Sequence, residues 1–164
     1  MPARSKARKR AVDILFAAEQ GGTDPVRTLA EWLERADPPV PEYAADLVRG
    51  VTAHRAEIDG LLGTYAEGWT VARMPSVDRT LLRLGAYELL WCPDVPDAVA
   101  ISEAVTLAGA LSTEESPAFV NGLLARLLSL KPEVGASGDN AEPAAVGRGP
   151  EGPADRLHEE PVGD

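Results

Sequence analysis

The sequence predicts an all-α fold, a compact bundle of six to seven helices within residues 1–132. Two observations predict it. Apolar residues recur at i, i+3, i+4 and i+7 through most of residues 5–130, the signature of helices that each bury one face. The breaks between these stretches fall at glycine or proline clusters such as Gly21-Gly22, Pro38-Pro39 and Pro93-Asp94-Val95-Pro96, which punctuate helices. No stretch reads as a convincing strand. The chain has 164 residues and is 45% hydrophobic but only 5% aromatic. That supports one core made mostly of Ala, Leu and Val.

The elements follow in order. A first helix is expected from Ser5 to Gln20, with Ala11, Ile14, Leu15 and Ala18 as its stripe. A second starts at Asp24-Pro25, a cap followed by proline at the first helical position, and buries Val26, Leu29, Ala30 and Leu33. A third, longer helix is expected from Pro41 to Gly68, its stripe running from Ala44 through Leu47, Val48, Val51 and Ile58 to Leu62 and Tyr65. Gly50 inside it costs roughly 1 kcal/mol against alanine unless close packing requires it. A short turn over Val71–Met74 follows. Ser76 then caps a helix over Val77–Trp91 that is apolar nearly all round and belongs at the centre of the bundle. Asp97–Leu111 forms the next helix. Ser116-Pro117 opens the last, whose stripe is Val120, Leu123, Leu124, Leu127 and Leu128.

Charge is unevenly distributed over a net −10. Residues 1–10 carry Arg4, Lys6, Arg8, Lys9 and Arg10 and no acid. Residues 133–164 hold eight acids and two arginines, with six Gly, four Pro and no aromatic residue. Such a segment lacks the apolar surface to offset its ordering entropy, and 133–164 is expected to be a disordered acidic tail. A basic arm on an acidic body suits an arm that meets nucleic acid; it equally describes a solvated first turn.

Most enzyme chemistry is excluded. The single cysteine, Cys92, and two histidines, His54 and His158, form neither a disulfide framework nor a metal-ligand cluster. No phosphate loop or nucleophile elbow is present. No apolar run is long enough to span a membrane and no signal peptide is read. A cytoplasmic binding protein without cofactor or metal is expected. Phe16 lies off the apolar stripe and seven residues after Lys9, so both project on nearly the same side of the first helix. Cations for phosphates beside an aromatic face for bases is the chemistry that holds single-stranded RNA. Packing of Phe16 against a neighbouring helix is the other outcome.

Several motifs in order then carry a resemblance. They are Ala7-Arg8-Lys9-Arg10-Ala11-Val12; the segment Asp78-Arg79-Thr80-Leu81-Leu82-Arg83-Leu84-Gly85-Ala86-Tyr87-Glu88-Leu89-Leu90 with Asp94-Val95-Pro96 after it; Ile101-Ser102-Glu103-Ala104-Val105; Glu115-Ser116; and Phe119-Val120-Asn121-Gly122-Leu123-Leu124. Over about residues 4–130 the chain closely resembles the bacterial NusB family. The resemblance implies two small helical sub-bundles and transcription antitermination. It implies binding of boxA RNA, notably in ribosomal RNA leaders, together with NusE, a ribosomal protein, in a complex with RNA polymerase, NusA and NusG. By position it implies an RNA surface of Arg4, Lys6, Arg8, Phe16, Asp78, Glu115 and Phe119, with Asp78 also near NusE. The family more often has tyrosine at Phe16, and a histidine where Pro117 stands. Asn121 matches as a bundle organiser or an RNA contact.

An acidic protein with one basic arm should bind RNA weakly alone, so acids near the central and last helices are expected to meet the basic NusE. The alternative is a helical protein–protein module, or a homodimer that hides the RNA face. A NusB-like accessory domain of an RNA cytosine methyltransferase also fits the helices, but no catalytic domain is read here.

Overall fold

The computed structural model describes residues 2–131; the expectation for the tail, 133–164, lies outside the described residues. Within them the chain forms α1 (Ala3–Gly21), α2 (Pro25–Arg35), α3 (Glu42–Ala53), α4 (Arg55–Tyr65), a 3-10 turn (Val71–Arg73), α5 (Ser76–Trp91), α6 (Asp97–Leu111) and α7 (Ser116–Ser129), with no strand among the described residues. Helices α1–α3 pack on one another as one sub-bundle and α4–α7 as a second, while α5 touches both.

Local chemistry sets most ends as expected. The Asp24 carboxylate accepts from the Val26 N–H at 3.1 Å and Pro25 begins α2, which satisfies one orphan donor of the first turn. Gly22, with φ 62°, closes α1, in the left-handed conformation glycine favours.

Two local expectations are corrected. The long helix expected over Pro41–Gly68 is two helices, α3 and α4, which meet at His54 with φ −104° and ψ 10°. The Tyr87 ring lies so close to Gly50 that a Cβ there would sit 2.0 Å from it, and His54 stacks on Trp91 with ring centroids 4.6 Å apart. The break therefore falls where the helix is packed on the rings of α5. Ser76 and Ser116 were expected as caps, but each is the first helical residue, and no side chain caps either helix.

The core agrees with the apolar pattern except on α2, where Leu29 is buried but Val26, Ala30 and Leu33, expected beside it, are exposed. Leu81, Leu82, Leu84, Ala86 and Leu89 of α5 are buried, as are Ile14, Leu47, Ile58, Leu62, Leu124 and Leu127 from the surrounding helices. At Gly85 a Cβ would come within 2.7 Å of Leu124 and 3.3 Å of Ala104, so the glycine lets α6 and α7 close on α5. Four polar residues of α5 are also buried: Asp78, Thr80, Arg83 and Glu88. Buried polar groups need partners, and these partners position the surface described next.

Candidate nucleic-acid interface

Helix α1 starts with cations and has no acid in its first turn, although the helix dipole favours anions there. The counter-charge comes from the turn after α5, from α5 and α6, and from α1 itself. The Arg4 guanidinium lies 4.4 Å over the Tyr43 ring and 3.1 Å from Asp94, yet stays exposed. Lys6 is exposed and has no ion-pair partner among the described residues. Lys9 pairs with Asp13 one turn on.

Arg8 differs from its neighbours in being buried. Its side chain is 3% exposed, and that of its partner Glu88 is 2% exposed. Arg8 Nε donates to both Glu88 oxygens at 2.8 and 3.0 Å, and Nη2 donates to Oε2 at 2.9 Å. The Tyr43 hydroxyl donates to the same carboxylate. Ser5 donates to Glu103 at 2.7 Å, and Glu103 lies 3.6 Å from Arg8 Nη1. Burial alone would lower the Arg8 pKa, but the hydrogen bonds and charge of Glu88 outweigh it and hold the guanidinium above its ordinary value. Burial and then Glu88 push the Tyr43 phenol well up. Glu88 takes the Nε–Nη2 edge of the guanidinium, and the side chain is closed off from solvent. Arg8 fixes the arm against α3, α5 and α6.

At the other end of α1, Glu19 pairs with Arg79 and lies 3.5 Å from Arg83, which also clasps Asp59 at 2.8 and 2.9 Å. Helix α1 therefore runs antiparallel to α5, from Glu88 at its basic start to Arg79 at its end. Phe16 lies towards the Arg79 end. Its ring is half-buried and is not part of the core cluster, so it belongs to the outer side of α1 with Lys9.

Asp78 lies in the first turn at the same end of α5 and is buried. Its carboxylate accepts from the hydroxyls of Ser112 at 2.5 Å and Ser116 at 3.0 Å. Ser116 also meets Thr113 at 2.8 Å. Asp78 thus fixes the α6–α7 connection and, through it, the exposed Glu115. Phe119, one turn into α7, is half-buried and tilts at 53° against Trp69, with centroids 6.2 Å apart. Trp69 is 47% exposed and was not among the expected site residues. Its position after Gly68, outside any helical stripe, was the available signal. Asn121 is exposed, so it does not organise the bundle from within.

The seven expected residues thus form two groups. Arg4, Lys6, Arg8 and Phe16 lie on α1; Asp78, Glu115 and Phe119 gather where α5 and α7 begin. No hydrogen bond, ion pair or ring contact joins the groups among the described residues. Their common support is α5, whose Glu88 and Asp78 lie about 15 Å apart along the axis.

No group of three or more side chains among the described residues could hold a metal. Burial pushes the Cys92 thiol up, which keeps it from the thiolate form a nucleophile needs. No described helix is long and apolar enough to cross a membrane.

The sequence model of the NusB family matches residues 5–129. A transcription antitermination protein NusB from Acidothermus cellulolyticus is 57% identical over 143 residues, covering 87% of this chain and 99% of that protein. The structure of NusB from T. maritima superposes with a TM-score of 0.69 at 34% identity, covering 79% of this chain and 92% of that one. A chain from a structure of antitermination factors NusB and NusE in complex with dsRNA gives a TM-score of 0.68 at 27% identity, covering 77% and 96%.

Proposed function

This chain belongs to the NusB family, and we propose that it is a transcription antitermination factor that binds boxA RNA of nascent transcripts, notably ribosomal RNA leaders, jointly with NusE. The carrying observation is the α1 arm. Its exposed cations Arg4 and Lys6 continue along the helix to Lys9 and Phe16, and a buried ion pair sets the whole helix in place.

The roles follow from exposure. Arg4 and Lys6 contact phosphates, and Phe16 stacks on a base. Glu115 and Phe119, at the end of α5 towards which Phe16 lies, extend the track. Arg8 and Asp78 are positioning residues: Arg8 holds the arm and Asp78 holds the loop bearing Glu115. Net charge explains the need for a partner. Outside residues 1–10 the chain is strongly acidic, which opposes RNA but attracts a basic ribosomal protein. The pair then joins the complex of RNA polymerase, NusA and NusG.

The test is binding of boxA RNA and a scrambled control by the full chain, with and without NusE, at two salt concentrations. Selective binding that requires NusE supports the composite surface. Equal binding of both RNAs in all conditions would contradict it.

A further inference from the structure

A cleft beside the α1 arm carries a feature that the roles above leave unused. It lies between α1 and the end of α2, has a volume of about 180 Å³, and is lined by Arg10, Trp32, Arg35, Asp37 and Pro38. The Arg10 guanidinium lies 4.5 Å over the Trp32 ring and donates from Nη2 to the Pro38 carbonyl at 3.1 Å. Its Nε is buried with no hydrogen-bond partner. Arg4, Arg8 and Lys9 are each paired with a carboxylate. Arg10 and Arg35 have no ion-pair partner among the described residues, although Asp37 lines the same cleft.

An oriented guanidinium, backed by an indole and sharing the cleft with a second arginine, suits a phosphodiester next to a planar base. Arginine forks take phosphate oxygens, and aromatic or guanidinium planes take bases. Arg10 also lies one helical turn after the exposed Lys6, so the cleft continues the cationic side of α1. We infer that this cleft holds one further nucleotide of the bound single-stranded RNA, with its phosphate on Arg10 and Arg35 and its base beside Trp32. This rests on the RNA-binding function proposed above. Within the cleft Asp37 opposes the phosphate and limits affinity.

Fluorescence anisotropy of a labelled boxA RNA with the full chain and NusE tests the inference. The variants are Arg35→Glu, Arg35→Gln, Asp37→Asn and Lys6→Gln. Arg27→Glu is the charge control: it makes the same change on α2 at an exposed position that does not line the cleft. Arg35→Glu should weaken binding about tenfold and Arg27→Glu less than about twofold. Arg35→Gln should reduce the slope of log affinity against log salt by about 0.7, the value for one single-strand phosphate contact. Asp37→Asn should tighten binding. Arg35→Glu matching Arg27→Glu, with Asp37→Asn unchanged, would overturn the cleft assignment. If Lys6→Gln still weakened binding, the RNA-binding function would survive that result. Failure of the wild-type pair to bind any RNA would overturn both.

Discussion

The two ends of α5 do similar work with different chemistry. At one end buried Glu88 orders the α1 arm through a charged guanidinium and a phenol. At the other, buried Asp78 orders the α6–α7 connection through two neutral serine hydroxyls. Both place a carboxylate inside the bundle so that exposed groups outside it are held in place. They differ in what happens when one partner is removed. Losing Arg8 would leave an uncompensated buried charge, whereas losing Asp78 would leave hydroxyls that can turn to water or to each other. The arm should therefore be the more tightly coupled of the two to folding.

That comparison can be broken by measurement. Arg8→Ala should lower stability by about 3–5 kcal/mol, the penalty for breaking a buried ion pair, read from denaturant unfolding. Loss of less than about 1 kcal/mol would mean that Glu88 has another route to neutralisation. Asp78→Ala should cost about 1–3 kcal/mol and should weaken RNA binding through Glu115 and Phe119; unchanged affinity would remove Asp78 as a positioning residue.

The phenols give a pH test. Burial and Glu88 raise Tyr43; burial and then Cys92 push Tyr87 up to about 12. Unfolded tyrosines titrate near pH 10. The folded state therefore keeps protons that the unfolded chain loses, so this contribution is intact below pH 10 and fades as pH rises through 12. Tyr43→Phe should make the alkaline decline shallower, and an identical decline would refute the cause. Phe16→Ala should cost about 1–3 kcal/mol of RNA affinity, one stacked base, while the melting temperature stays nearly constant. A stability loss on the order of 3 kcal/mol would instead show that the ring is core.

Much of this fold was legible because helix periodicity and proline-containing caps are local signals. The His54 break was not, since the apolar stripe runs through it and the rings packed around it, Tyr87 and Trp91, come from the distant α5. The site was legible by residue type but less so by role. Counting charges treats the five cations of residues 1–10 alike. Yet Arg8 precedes Ala11 by three and Leu15 by seven, which extends the buried stripe back one turn. Read that way, Arg8 points inward and Lys6 outward. Its partner Glu88 was hidden in a helix that looked apolar nearly all round. Asp78 gave no such clue, because an acid in a first turn is ordinary dipole chemistry; only tertiary packing brings the serines to it.

The measurement that tests the division of labour along α1 most directly is the salt dependence of RNA binding, in the presence of NusE, for Lys6→Gln beside wild type. The exposed ammonium should account for one phosphate contact, so the slope should fall by about 0.7 with the melting temperature unchanged. A slope equal to that of wild type would contradict a phosphate-binding arm.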